Sequence, residues 1–263
     1  MDDVVYTRAG TGAPLVLIHG VGHRRQAWDP VLPLLTPHRD VIAVDLPGFG
    51  ESPHREGAYG VGPALELFAK LFLDLGIERP HVAGNSLGGL LSLELAKAGL
   101  VGSATALSPA GLWTPLQRHY ALTVLRTLRT LARHTPERSV RRLAMKGAGR
   151  AALTGMIYGK PERLAPQVIV DDVRALADAE GFAPTLAQAK GGFRFTGPVR
   201  ADVPVTIAWA EHDRVLARPK ASALEEIAPH ARLLTLPGCG HVPMGDAPGV
   251  VARVLLDGSE NAG

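Results

Sequence analysis

The stretch Gly84-Asn85-Ser86-Leu87-Gly88-Gly89 decides how the rest of the sequence is interpreted. It follows the short apolar run His81-Val82-Ala83 and opens a leucine-rich helical pattern, so it predicts a sharp turn from a strand into a helix. The backbone of such a turn is strained and crowded, which requires Gly84 and Gly88 because they lack Cβ atoms. The helix N-terminus directs free N–H groups toward developing negative charge. Ser86 is therefore a candidate nucleophile, and the alternative is a serine that caps an ordinary helix start.

Other short apolar runs predict further strands, and most are continuous rather than alternating, as is typical of strands covered on both faces. These runs are Val4–Tyr6, Leu15–Ile18, Val41–Val44, Val101–Leu107, Val205–Trp209 and Arg232–Leu236. Helical patterns occupy Leu65–Leu75, Leu87–Ala98, Leu224–Ala228 and Val250–Leu256. The alternation predicts an α/β fold with a mostly parallel, doubly wound sheet and helices on both faces. Functional sites of such sheets form at the carboxyl ends of the strands.

One region breaks the alternation of strands and helices. Between residues 112 and 200 no convincing strand occurs, and helical patterns such as Val168–Ala179 are separated by prolines. We therefore predict a helical lid at 112–200, inserted between the fifth predicted strand, Val101–Leu107, and the sixth, Val205–Trp209. The remaining residues, 1–111 and 201–263, are predicted to form one core domain, for which a chain of 263 residues is long enough.

Composition and charge exclude several classes of protein. Hydrophobic residues make up 46% of the chain and charged residues 20%, which argues against disorder, and a single cysteine, Cys239, excludes an internal disulfide. No apolar run reaches the roughly 20 residues of a membrane span, and the acidic start has no signal-peptide pattern. A net charge of +3 does not demand nucleic acid. We expect a cytoplasmic protein with no stable membrane insertion and no nucleic-acid partner, and its oligomeric state stays open.

A serine hydroxyl needs a base beside it, and histidine titrates nearest to neutral pH. His241 directly follows the last predicted strand, in a loop that can return over Ser86. Asp213 follows the sixth strand and is the candidate carboxylate that fixes the tautomer of the base, with Glu211 as its nearest competitor. The alternatives are a loop histidine bonded to the backbone and an aspartate in a surface turn. Other histidines, among them His23, are expected to be solvated or to line a pocket wall.

Five motifs together resemble the α/β-hydrolase superfamily along nearly the whole chain. They are His19-Gly20-Val21-Gly22, Asp45-Leu46-Pro47-Gly48-Phe49-Gly50-Glu51-Ser52, the serine turn, Asp213 and Gly240-His241. They occur in the order of that family and at its strand ends. Some members carry the acid after the preceding strand, but that place here reads Ser108-Pro109-Ala110-Gly111 and holds no carboxylate.

The resemblance also implies the groups that would stabilise an oxyanion. Backbone N–H groups of Leu87 and Val21 are the expected donors, and Gly22 gives the second loop room to turn. The alternative for Val21 and Gly22 is a plain connection between a strand and a helix. By the same resemblance, His19 is expected to be a structural residue of this loop, residues 19–23, which we call the oxyanion loop.

The function that the resemblance implies is that of a serine hydrolase, which cleaves a carboxylic ester of a small or medium apolar substrate through an acyl-enzyme. The sequence has no metal-ligand cluster, P-loop or dinucleotide motif, so we expect neither a metal nor a cofactor. A second hypothesis is a carbon–carbon bond hydrolase of ring-cleavage dienones. That family usually has methionine after the serine and tryptophan after the histidine, where this chain has Leu87 and Val242. A third is a ligand-binding protein of the same fold without turnover.

Overall fold

The computed structural model describes residues 4–191 and 193–260. In this part of the chain seven strands form one sheet in the order β1-β3-β2-β4-β5-β6-β7. The strands are β1 (Tyr6–Ala9), β2 (Pro14–Ile18), β3 (Asp40–Val44), β4 (His81–Asn85), β5 (Ser103–Leu107), β6 (Val205–Ala210) and β7 (Arg232–Leu236). All neighbouring pairs are parallel except β1 with β3, which confirms the predicted mostly parallel sheet. Residues 1–3 and 261–263 of the predicted core and residue 192 of the predicted lid lie outside the described residues.

Eleven α-helices accompany the sheet over the described ranges. They are α1 (Leu32–Leu35), α2 (Val61–Asp74), α3 (Leu87–Lys97), α4 (Pro115–His134), α5 (Glu137–Ala144), α6 (Gly147–Thr154), α7 (Pro166–Asp178), α8 (Phe182–Ala189), α9 (Ala221–Ile227), α10 (Pro243–Asp246) and α11 (Pro248–Glu260). Across those same ranges, none of the helices combines the length and the apolar character needed to cross a bilayer.

The sheet is covered on both faces, because successive side chains of a strand point in opposite directions. From β2, Val16 and Ile18 pack in one apolar cluster with Phe68 of α2. Leu15 and Leu17 of the same strand pack in the opposite cluster, which includes residues of α1 and α11. Burial on both faces explains why these strands read as continuous apolar runs.

The first strand differs from its sequence prediction. The apolar run Val4–Tyr6 was expected to pair, but β1 begins at Tyr6 and forms an antiparallel ladder with β3 through the more polar Tyr6–Ala9. Val4 is instead buried in the core. Backbone pairing at the edge of a sheet does not require an apolar sequence. An apolar run therefore identifies the residues that become buried and not the residues that form the hydrogen bonds of the edge strand.

The chain between β5 and β6 is helical, and the described part of 112–200 contains no strand. Helices α4 to α8 lie there, with one 3₁₀ turn at Pro161–Arg163. Val140 and Ala144 of α5 form a small apolar cluster with Ile169 and Val170 of α7. The division into a core domain and a lid domain stays a prediction.

Candidate active site

Ser86 occupies the turn between β4 and α3 in a strained conformation, with φ 57° and ψ −112°. Neighbouring backbone holds that strain in place. The Ser86 N–H donates to the Leu107 carbonyl at 3.0 Å, and the Ser86 carbonyl accepts from Ala110 N at 2.9 Å. A non-glycine residue in this region of backbone space persists only where its surroundings fix it, and such residues cluster at functional sites.

The glycines of the turn allow three pieces of backbone to approach each other. A Cβ on Gly84 would collide with the Gly88 carbonyl group, and one on Gly88 would collide with the Ile18 carbonyl at the end of β2. A Cβ on Gly20 would lie 3.0 Å from the Ser86 Cβ. The loop that follows β2 is therefore packed directly against the candidate nucleophile.

His241 and Asp213 form the buried pair that the sequence predicted. His241 Nδ1 lies 2.8 Å from Asp213 Oδ2, and the side chains are only 5% and 2% exposed. The other carboxylate oxygen accepts the N–H groups of Val215 at 2.9 Å and Leu216 at 2.8 Å. Burial disfavours the charged carboxylate, but His241 and these two N–H groups outweigh burial and hold the pKa of Asp213 below its ordinary value. An ionised Asp213 fixes the proton of the imidazole on Nδ1 and leaves Nε2 free to act as a base.

Glu211, the competing carboxylate, is directed elsewhere. Its side chain is half exposed and accepts the N–H of Gly238 at 2.7 Å. The described structure gives it no hydrogen bond to His241. The geometry thus selects Asp213 over Glu211 as the partner of the imidazole.

Asn85 connects the serine turn to the histidine loop, and sequence reasoning missed this role. Its side-chain amide donates to the His241 carbonyl at 2.8 Å and to the Leu107 carbonyl at 3.2 Å. The Ser86 hydroxyl itself forms no hydrogen bond with the described residues. Bonds between a nucleophile and its base are often long before substrate binds, and they tighten in the reacting complex. The only local signal for Asn85 was its position before the serine.

The two expected oxyanion donors are both available. Leu87 is the first residue of α3, and the N–H groups at a helix start have no partner within the helix. The Val21 N–H donates no hydrogen bond within the described chain. Within residues 4–191 and 193–260, the N–H groups of Leu87 at the start of α3 and of Val21 in the loop after β2 thus have no hydrogen-bond partner, and both residues lie next to the serine turn.

His19 fixes the orientation of the second donor. Leu46 N donates to His19 Nε2 at 3.0 Å, so the ring proton sits on Nδ1 and is donated to the Gly20 carbonyl at 2.7 Å. Because the C=O and N–H of a trans peptide point in opposite directions, holding the Gly20 carbonyl also aims the Val21 N–H. Burial lowers the pKa of His19 to about 4, so the ring is neutral near neutral pH and keeps this pattern.

A cavity of about 240 Å³ is lined by the oxyanion loop and by residues of helices α4 to α7. Val21, Gly22 and His23 form its wall on the loop side, and leucine and valine side chains form most of the other wall. Two larger grooves, of about 710 Å³ and 460 Å³, contain none of the candidate catalytic residues. The 240 Å³ cavity reaches Val21, and a pocket of about 30 Å³ reaches Leu87; Ser86, Asp213 and His241 line neither of them.

Part of the sequence is similar to two curated hydrolases. A pimeloyl-[acyl-carrier protein] methyl ester esterase of Legionella pneumophila is 42% identical over 87 residues, 33% of either chain. A 2-hydroxy-6-oxo-2,4-heptadienoate hydrolase of Pseudomonas putida is 42% identical over 91 residues, again 33% of either chain. The match thus spans about a third of the length of these relatives.

The fold comparison extends over nearly the whole chain. The crystal structure of a membrane phospholipase A, a bacterial virulence factor, superposes with a TM-score of 0.77 at 26% identity and covers 98% of this chain and 83% of that one. The sequence profile of the alpha/beta hydrolase family matches residues 15–254. Since this match covers most of the sequence, the chain belongs to the alpha/beta hydrolase family.

Proposed function

We propose that this protein is a serine hydrolase that cleaves a carboxylic ester of a small or medium apolar substrate. The observation that carries the proposal is the buried hydrogen bond between His241 and Asp213, on a loop tied to the strained turn of Ser86. Acyl transfer needs a base oriented by a carboxylate, a serine within its reach and two N–H donors, and the hydrogen bond from Asn85 to the His241 carbonyl supports bringing these groups together.

In this mechanism, Ser86 Oγ attacks the ester carbonyl while His241 Nε2 takes its proton. The N–H groups of Val21 and Leu87 bind the oxyanion, and removing one such donor usually costs about 3–4 kcal/mol of transition-state stabilisation. His241 then gives its proton to the leaving alcohol, and the acyl group stays on Ser86. A water molecule that has lost a proton to His241 attacks the acyl-enzyme, which releases the acid and restores the serine.

The helices of 112–200 are proposed to form a lid that selects the substrate. The 240 Å³ cavity lies between these helices and the oxyanion loop, and its lining includes Leu125, Leu128 and Leu176. An apolar acyl or alcohol group fits such a wall, and covering it excludes water from the acyl-enzyme.

The direct test is Ser86→Ala, assayed with p-nitrophenyl esters of graded acyl length. We expect the wild type to turn over and the variant to lose at least about 10⁴-fold in kcat, because no other side chain replaces the nucleophile. Ser222→Ala, on the exposed face of α9, is the matched control and is expected to retain activity. We also expect a fluorophosphonate to label the wild type covalently, and mass spectrometry to map the label to Ser86. Full activity in Ser86→Ala would reject the mechanism.

A second candidate is hydrolysis of a carbon–carbon bond in ring-cleavage dienones. The likeness to the heptadienoate hydrolase over 91 residues favours it, although Leu87 and Val242 depart from the pattern of that family. The ratio of kcat/KM for a dienone to that for a p-nitrophenyl ester separates the two candidates. Binding of ligands without turnover, unaffected by Ser86→Ala, would instead indicate a binding protein.

A further inference from the structure

A polar cluster of His23, Asp172 and Tyr158 lies inside the molecule and takes no part in the proposed chemistry. The Tyr158 hydroxyl donates to Asp172 Oδ2 at 2.7 Å, and Tyr158 is 4% exposed. Burial, reinforced by Asp172, raises the pKa of Tyr158 well above its ordinary value, so the phenol stays a donor. Burial also raises the pKa of Asp172, although His23 and Tyr158 oppose that effect. One carboxylate oxygen is therefore held by Tyr158, and the other retains lone pairs.

His23 is buried without a hydrogen-bond partner for its ring. It is 8% exposed, its Nδ1 is fully covered, and the ring forms no hydrogen bond within residues 4–191 and 193–260. Burial lowers the pKa of His23, so the ring carries one N–H donor and one acceptor near neutral pH. The covered Nδ1 cannot meet a group in the cavity, so the ring can bind one only through Nε2, which is not among the fully covered unpaired atoms of the described residues.

Both polar residues border the 240 Å³ cavity, whose other walls are mainly apolar. Asp172 comes from α7, which packs against the loop that carries His23 through Leu176 and Gly22. His23 is two residues from Val21, so their Cα atoms are at most about 7.6 Å apart, since consecutive Cα atoms are about 3.8 Å apart. A group bound by His23 would therefore lie only a few bonds from a carbonyl held by the Val21 N–H.

We propose that His23 and Asp172 bind a hydroxyl group that the substrate carries a few bonds from its scissile carbonyl. This inference rests on the proposed hydrolase function and narrows its substrate class from apolar esters to hydroxylated ones. A hydroxyl group donates to the open lone pairs of Asp172 and accepts the ring N–H of His23. A carboxylate would be repelled by Asp172, and an ammonium group would bring a second charge into an apolar cavity.

The experiment compares matched pairs of esters that differ by one hydroxyl group. Methyl hexanoate is assayed beside both enantiomers of methyl 2-hydroxyhexanoate and methyl 3-hydroxyhexanoate, and propyl hexanoate beside 2-hydroxypropyl hexanoate. We expect at least one hydroxylated member to exceed its parent by about 10- to 100-fold in kcat/KM, because hydrogen bonds to a charged group are among the stronger ones. Methyl 3-aminohexanoate is included as the cationic analogue.

Two variants then test whether His23 and Asp172 cause the preference for hydroxylated esters. In His23→Leu, and in the double variant Asp172→Leu/Tyr158→Phe, the hydroxyl preference is expected to fall to about onefold. The double variant removes both partners of a buried hydrogen bond, which avoids leaving one unpaired. His23→Gln and Tyr158→Phe replace these variants if either fails to fold, and each is expected to reduce the preference. Val173→Ala, in the apolar wall beside Asp172, is the control and is expected to keep the ratio.

The proposal is overturned if no hydroxylated ester is preferred, if the amino ester is preferred over the hydroxyl esters, or if the preference survives in the variants. Calorimetry with Ser86→Ala separates this failure from failure of the proposed function. If the wild type cleaves no ester, the affinities of Ser86→Ala for a hydroxylated ester and for its parent are compared. Tighter binding of the hydroxylated ester still supports the site, provided that the difference disappears when His23→Leu is added. Equal binding of the two esters overturns it.

Discussion

At the scale of single residues, the protonation state of His19 affects both the oxyanion loop and the stability of the fold. Its neutral ring accepts from Leu46 N and donates to the Gly20 carbonyl, and protonation of Nε2 would break the first bond. The pKa of His19 is lowered in the folded protein to about 4 from an ordinary 6.5, so the unfolded chain takes up the proton first. The stability that His19 contributes is therefore present above about pH 6.5 and is lost as the pH falls toward 4.

We predict that the free energy of unfolding of the wild type falls between pH 6.5 and pH 4, and that His19→Gln makes this fall shallower. Urea unfolding at pH 7.5, 5.5 and 4.5 measures both proteins. His23 is buried with a lowered pKa as well, so part of the fall remains in the variant. His119→Gln, at an exposed position on α4, is expected to follow the wild type. Parallel curves for His19→Gln and the wild type would contradict the assignment.

The hydrogen bond between His241 and Asp213 could be predicted from the sequence because both residues follow parallel strands. Parallel strands place their carboxyl ends at one edge, so Ser86, Asp213 and His241 were expected to meet there. The hydrogen-bond partners of Asn85, and of Asp246, whose carboxylate accepts the Gly159 N–H at 2.7 Å, could not be predicted in the same way. Both act through backbone groups of residues distant in sequence, and no local pattern records which N–H or C=O they will meet.

At the scale of elements, α10 secures the loop that carries the histidine. Its last residue, Asp246, accepts three backbone N–H groups: Gly240 at 2.8 Å, Gly159 at 2.7 Å and Lys160 at 2.8 Å. One carboxylate thus ties the histidine loop to the segment after α6, which belongs to the predicted lid. Loss of this acceptor leaves three N–H groups unpaired beside His241.

We predict that Asp246→Ala lowers the free energy of unfolding by about 2–4 kcal/mol, since hydrogen bonds to charged groups contribute more than neutral ones. We also expect kcat for a p-nitrophenyl ester to fall at least tenfold while KM changes little, because the loop positions the base rather than the substrate. Urea unfolding and steady-state kinetics measure these effects. Asp202→Ala, which removes an exposed partner of Arg200, is the control and is expected to change both quantities little.

The limits of element prediction follow from what an apolar run encodes. Such a run marks residues that become buried, and in the central strands these are also the residues that pair. At the edge the two properties separate, as in β1, where Val4 is buried and Tyr6–Ala9 forms the ladder. Even the inner strand β5 shows a small offset at its start, since the run Val101–Leu107 begins with buried Val101 whereas the strand begins at Ser103.

At the scale of the whole molecule, the cavity is formed by parts of the chain that are far apart in sequence. His23 follows β2, Asp172 comes from α7, and both line the cavity. In the sequence, Asp172 reads as one acidic residue of an amphipathic helix beside Asp171. Asp172 faces the cavity because α7 packs against the oxyanion loop, where Leu176 fills the space beside Gly22, and the sequence does not record this packing. The sequence therefore predicted that helices would occur in this region, but not the polar groups they bring to the cavity.

The same packing predicts how the molecule limits the length of its substrate. Leu128 of α4 forms part of the cavity wall opposite the oxyanion loop. Leu128→Ala removes three carbon atoms from that wall, so we expect the acyl length of highest kcat/KM to increase by up to three carbons across a series of p-nitrophenyl esters. Leu73→Ala truncates a leucine that is 80% exposed on α2 and is expected to leave the optimum unchanged. If the two variants gave the same profile as the wild type, the substrate would have to bind outside this cavity, and α4 would have no part in selecting it.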